Sequence, residues 1–348
     1  MSGRSIAAVA AFFAAVASLP QSALAQDVES AFKGKTLNVF IGSGPGGGYD
    51  LYGRLVARFI GKHIPGQPNV IAQNKPGASG FVMSQWLYAA APKDGLNIGT
   101  VPQNAPTEEA LGNPAAMFES AKFAWIGRVN SNTPAHYVWH TAAVQTLEDL
   151  KSKELLSGAD TPTSTQTTNP RILNLIAGTK FNIINGYGSG AKVRLAVESG
   201  EVQAGVAPLS LLHSEMAAWL KDGKIKILVQ YSPERHPSVP DVPASVELAR
   251  TDEERKILNF FVADSAIGRA VAAPPGVAPD RIKTLRAAFD AMIKDPEFVA
   301  DTKKRNVEVD AMSGEKLQAL VVGMMDLPAD TLAKAKAAAK AALAEGAR

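Results

Sequence analysis

The chain has 348 residues, no cysteine, and a formal charge of +3 from 36 Lys and Arg against 33 Asp and Glu. Without cysteine there is no disulfide framework, no thiolate metal site and no thiol to carry a lipid anchor. The basic residues are spread along the chain, so the charge stripe that a nucleic-acid binder needs is missing.

Residues 1–25 carry Arg4, an apolar run over residues 6–17, Pro20 and the small-residue pattern Ala23-Leu24-Ala25. This is the layout of a cleaved secretory signal. A bilayer span needs about 20 apolar residues and this run is shorter. The expectation is a mature chain that starts near Gln26, soluble in the periplasm and not lipid-anchored. About 320 residues then remain, more than one ordinary core serves, which points to two domains.

The mature chain opens with an expected strand over residues 36–41 and a glycine turn. A helix follows, with Leu51, Leu55 and Phe59 on one row and Tyr52, Val56 and Ile60 on the next. A strand over 69–72, a Pro-Gly turn, a helix over 81–91 and a strand over 96–101 complete a β-α-β-α-β series, the signature of a parallel sheet covered by helices. A strand at 123–126 leads to a second series. Strands are expected at 137–139, 181–184, 204–207 and 225–229, with helices at 172–177, 192–197 and 211–220. Four prolines between residues 233 and 243 mark a surface connection. A strand at 269–273 and several helices follow, the Ala/Lys-rich last of them expected on the surface. The fold class is therefore α/β, with lobe 1 from residues 26–127 plus 233–348 and lobe 2 from residues 128–232.

The strongest local feature is Gly42-Ser43-Gly44-Pro45-Gly46-Gly47-Gly48-Tyr49-Asp50, a glycine turn between a strand and a helix. Glycines let the backbone approach a ligand, and the helix start presents unpaired N–H groups. Asp50 suits the first helical turn and can pair with Arg54 four residues on. Asn74-Lys75-Pro76-Gly77-Ala78-Ser79-Gly80 repeats the device. Two such turns at the same end of adjacent parallel strands face one crevice. Gly42, Gly44 and Gly47 also match a dinucleotide fingerprint. That fingerprint expects an acidic residue at the end of the second strand, where this chain has Gln73, Asn74 and Lys75. The serine-hydrolase, zinc-protease and phosphate-loop signatures are missing. His136 and His140 are four apart on a β-like run, a pattern that suits packing better than metal binding. Neither a cofactor nor a metal site is expected.

With these turns in hand, the chain resembles the solute receptors of tripartite tricarboxylate transporters, the Bug family. The resemblance is carried by Pro45-Gly46-Gly47-Gly48-Tyr49-Asp50 with Arg54, by Asn74 to Gly80, by Pro92-Lys93-Asp94-Gly95 and by Tyr187-Gly188. It continues through Gly200-Glu201-Val202-Gln203, Arg235 with Pro237, Pro240-Asp241-Val242-Pro243, Glu247, and Ala273-Pro274-Pro275-Gly276-Val277-Ala278-Pro279. It implies a type II-like, two-lobed periplasmic binding protein with a mainly parallel sheet in each lobe and a cleft between them. It also implies a monomeric receptor, and not an enzyme, that closes on a small organic carboxylate and delivers it to membrane permease subunits. The carboxylate would be held by Gly46, Gly47, Tyr49 and Asp50 and by Gly77, Ala78, Ser79 and Gly80.

Tyr49 and Ser79 depart from the smaller residues usual there, and Leu96 replaces a Tyr. Residues 157–169 lack the expected Gly-Ser-x-x-His pattern. Thr163, Ser164, Thr165, Tyr187 and Ser189 are the expected hydroxyls for the far end of the ligand. Tricarboxylates, dicarboxylates and aromatic carboxylates are all candidates, the bulk of Tyr49 suiting the aromatic ones. The alternatives are a dinucleotide-dependent or hydrolytic periplasmic enzyme and a sensory binding protein.

Overall fold

The computed structural model describes residues 29–46, 48–159 and 164–344. The expected export signal, Gly47 and Thr163 lie outside the described residues.

Strand β1 (Thr36–Ile41) places Leu37 and Val39 in one core and Phe40 against another. Both of its faces are covered, as the alternation of a strand between two helix layers requires. The glycine turn leads into α1 (Gly48–Phe59), which buries Leu55, Val56 and Phe59. Strand β2 (Asn69–Asn74), α2 (Phe81–Ala89), β3 (Asn97–Thr100), α3 (Ala105–Leu111) and β4 (Ala124–Arg128) complete this unit. The chain crosses over through residues 129–133 into β5 (Pro134–Trp139), β6 (Leu155–Gly158), α4 (Thr165–Ala177) and β7 (Phe181–Ile184). It continues with α5 (Gly190–Glu198), β8 (Ala204–Pro208) and β9 (Ile225–Gln230). The return path holds α6 (Asp252–Val262) and re-enters the first sheet as β10 (Ala270–Ala273). Then come α7 (Pro279–Lys294), β11 (Met312–Ser313), α8 (Gly314–Met325) and α9 (Ala329–Ala344).

The first sheet has the order β11-β4-β10-β3-β1-β2 and the second β7-β6-β8-β5-β9. In each, one strand delivered by a crossover, β10 or β5, runs antiparallel between parallel neighbours. The crossovers lie side by side. Val129 donates its N–H to the Arg269 carbonyl, Arg269 donates to the Asn130 carbonyl, and Asn132 donates to the Ser265 carbonyl. The two lobes are thus joined by a short hydrogen-bonded ribbon, while the carboxyl ends of the parallel strands in the first sheet open on the glycine turns.

Several elements differ from expectation. Strand β6 was not among the expected strands: Leu155-Leu156-Ser157-Gly158 has no β-branched residue, yet it pairs with β7 and β8 inside the second sheet. The helix expected at 211–220 is two short helices, Leu209–His213 and Ala217–Lys221. The last helix, expected on the surface, buries Ala335, Ala338 and Ala342 in the core of the second sheet, with Leu258 and Phe261 of α6. Alanines at that spacing form one smooth face and let the helix approach closely. The stretch 233–348 therefore contributes to the cores of both sheets.

Candidate ligand-binding cleft

At the end of β1, the N–H of Gly42 donates to Thr100 Oγ1 over 3.2 Å, tying the first glycine turn to the end of β3. The second turn passes directly over it. A Cβ on Gly42 would lie 3.1 Å from the Gly80 Cα, and one on Gly80 would lie 2.6 Å from Pro102 Cγ. Gly77, Ala78, Ser79 and Gly80 all take positive φ, at 140°, 44°, 57° and 96°. Such a run is costly for Ala78 and Ser79, and only the surrounding contacts hold it. It bends the chain from β2 into α2 within a few residues. The two turns and the end of β3 enclose a pocket of about 370 Å³ lined by Gly42, Ser43, Gly44, Tyr49, Ser79 and Thr100, among others. Several backbone donors here are already used, Gly42 on Thr100, Gly46 on Asp50, and Gly80 and Val82 on the Gly77 carbonyl; the other early N–H groups of the two helical segments favour an anion there.

Asp50 stands behind this pocket and does not line it. Its carboxylate accepts from the Gly46 N–H at 3.0 Å, from Arg54 Nε at 2.9 Å and from Asn74 Nδ2 at 2.8 Å. The Arg54 bond is the largest of the effects that hold its pKa down to about 2. Arg54 Nη2 also donates to Asn74 Oδ1, and Asn74 Nδ2 to the Ser43 carbonyl. Asp50 thus fixes both glycine turns against each other through Arg54 and Asn74.

Tyr49 faces the pocket. Its hydroxyl accepts from the Gln103 N–H at 2.8 Å, and the Arg269 guanidinium lies 4.3 Å from the centre of its ring. Gln103 Oε1 accepts in turn from Asn132 Nδ2 at 2.6 Å. Tyr49 therefore connects the pocket to both crossovers.

A larger pocket of about 530 Å³ adjoins the first, and Ser79 lines both. Its walls come from α2 and α3 on one side, from Thr165, Thr168 and Ile172 of α4 on the other, and from Phe261, Asp264, Lys336 and Lys340. Asp264 is buried, which pushes its carboxyl up to about 7. Glu108 adds to the rise, while the Ser265 backbone and the Gln103 side chain oppose it.

Of the residues expected in the site, Tyr49, Gly77, Ser79 and Gly80 line the smaller pocket and Ala78 sits in the same turn. Thr165 lines the larger pocket, next to Ser164 at the N-cap of α4. Gly46 serves Asp50. Tyr187 and Ser189 lie elsewhere. Tyr187 donates to Glu201 Oε1 at 2.8 Å in a separate surface groove, and Ser189 caps α5 by accepting from the Lys192 N–H. Gln103, Thr107, Asp264 and Arg269 went unforeseen. Gln103 follows the end of β3, Thr107 lies in α3, and Asp264 and Arg269 sit on the returning crossover, where no local periodicity marks them as site residues.

Among the described residues no group of three or more His, Cys, Asp or Glu is placed to hold a metal, and no helix is long and apolar enough to cross a membrane.

The sequence profile of the tripartite tricarboxylate transporter family receptor matches residues 53–341. No curated protein matches the chain. Solved structures give the fold. A TctC solute-binding protein from Polaromonas aligns with a TM-score of 0.67 at 21% identity, covering 88% of this chain and 98% of its own. The periplasmic binding protein BugD aligns at 0.61 and 18% identity, covering 87% and 97%. A protein of R. palustris described with adipate gives the same values. Another, MatC from Rhodopseudomonas palustris with bound malate, aligns at 0.57 and 18% identity, covering 86% and 99%. The profile match over residues 53–341, most of the chain, places it in the tripartite tricarboxylate transporter receptor family.

Proposed function

We propose that the chain is a monomeric periplasmic receptor that captures a small organic carboxylate between its lobes and delivers it to the membrane permease subunits of a secondary transporter, without catalysis. The observation that carries this is the contact between the Gly42 and Gly80 backbones, which makes one donor-rich wall of two helix starts. A carboxylate seated there gains charge-assisted hydrogen bonds of about 1.5–3 kcal/mol each. Three would approach the roughly 8 kcal/mol of micromolar binding if little ordering is needed. Asp50, Arg54 and Asn74 keep that ordering cost low by fixing the turns beforehand. Adipate and malate, described in two proteins of the same fold, are carboxylates of the size such a pocket admits.

The test is a thermal-shift screen of the purified protein against mono-, di- and tricarboxylates, with nicotinamide dinucleotides as controls. The expected outcome is a dose-dependent rise with at least one acid and none with the dinucleotides. A rise with dinucleotide alone would reassign the first glycine turn to a cofactor and end the receptor proposal.

A further inference from the structure

The larger pocket communicates with the glycine turns through Ser79. Much of its wall is apolar, with Phe81 and Leu111 on the first-lobe side and Ile172 and Phe261 facing them. Two polar atoms in this wall are buried without a partner, Asp264 Oδ1 and Thr107 Oγ1, on residues only 2% and 5% exposed. Buried polar groups are nearly always satisfied, and an orphan in the wall of a pocket marks a place where a ligand group can complete the bond. Glu108 lies near enough to push the Asp264 carboxyl further up. Two carboxyls at one end of the pocket repel an anion and favour a hydrogen-bond donor or a cation. Lys336 and Lys340 also line the pocket but are exposed to solvent, whereas Asp264 and Thr107 are buried.

We propose that the ligand is an organic acid with an apolar body whose far end carries a hydroxyl or amino group, received by Asp264 and Thr107 while its carboxylate sits at the glycine turns. This rests on the receptor function above and narrows its substrate class. A second carboxylate at the buried far end would meet Asp264 and Glu108, the exposed lysines being left to the solvent side.

A matched series tests it: hexanoate, 6-hydroxyhexanoate, 6-aminohexanoate and adipate, titrated calorimetrically into the purified wild-type protein and into Asp264→Asn and Thr107→Val. The hydroxy and amino acids are expected to bind about tenfold tighter than hexanoate or adipate, as one added hydrogen bond to a charged or buried group provides. Asp264→Asn should remove the amino preference and Thr107→Val should reduce the hydroxyl preference, each read as the affinity ratio to hexanoate within the same variant. Should Asp264→Asn fail to fold, the near-isosteric Thr107→Val decides alone. Adipate binding tightest, or all four binding equally, overturns the distal-donor assignment and leaves the receptor intact. If neither this series nor the wider carboxylate panel binds, the receptor proposal fails and this one with it.

Discussion

A methyl group at Gly80 would meet Pro102 at 2.6 Å on a backbone whose φ of +96° already disfavours any side chain. Gly80→Ala is therefore expected to cost about 1–3 kcal/mol of stability and, by moving the second turn off the first, at least about tenfold in carboxylate affinity. Gly44 lines the same pocket but has open space around it. Gly44→Ala should leave the urea midpoint near wild type, which makes it the control. If both variants unfolded alike, the Gly42–Gly80 contact would not be what organises the site.

Two buried titratable groups act on stability with opposite sign. The Asp264 carboxyl is raised from 3.8 to about 7 by burial, so its contribution is fully present below pH 4 and is lost as pH rises through 7. His136 is fully buried between Tyr231 and Ser157, with both ring nitrogens 2.9 Å from hydroxyl oxygens, and burial lowers it from 6.5 to about 3. Its contribution is present above pH 6.5 and is lost as pH falls through 3. Between pH 7 and 4 the two oppose each other. Asp264→Asn, which removes the gain on acidification, should make stability fall more steeply over that window than in the wild type. At pH 8 the variant should be at least as stable as the wild type, because a buried carboxylate no longer has to be ionised. Urea midpoints at pH 4, 5.5, 7 and 8 check both; parallel profiles would mean that Asp264 does not titrate in this range.

At the scale of elements, alternation and glycine punctuation made most of the first unit legible. β1, α1 and β3 follow from residue type and spacing because both faces of the sheet demand apolar residues at fixed intervals. β6 was hidden, since Leu155-Leu156-Ser157-Gly158 becomes a strand only through pairing with β7 and β8, and pairing is non-local. The site divides the same way. The glycine turns announce themselves locally, whereas Arg269 reaches Tyr49 only because a crossover returns the chain some two hundred residues later. Asp50 was expected both at the ligand and paired with Arg54; it pairs with Arg54 and Asn74 behind the smaller pocket, and spacing could not distinguish these roles. The same non-local logic places α9. Its alanines Ala335, Ala338 and Ala342 are buried against α6 and α4, although their composition alone suits an exposed helix. Ala338→Asp would put an unpaired carboxylate into that core. It is expected to cost about 3 kcal/mol or more, read as a large drop in melting temperature. An unchanged melting temperature would mean that α9 leaves the core at no cost.

For the molecule as a whole, the lobe closure that the proposed receptor function calls for would be limited by what crosses between the sheets. The ribbon of Val129, Asn130 and Asn132 against Arg269 and Ser265 is short and can flex as a hinge. The C-terminal helix adds a second connection. It packs with α6 and α4 around the second sheet, and Ala110 and Leu111 of the first lobe's α3 pack against the same cluster. A strap of this kind limits opening, so ligand-induced closure should be small in the wild type. Leu111→Ala removes the largest first-lobe side chain from that contact without touching the second sheet. By cavity formation at a partly buried site it should cost about 1–2 kcal/mol. The ligand-free radius of gyration should then rise in small-angle scattering, with a larger fall on adding a saturating carboxylate than in the wild type. Equal radii for the two proteins without ligand would show that α9 does not restrain the lobes, and that the crossover ribbon alone sets the range of motion.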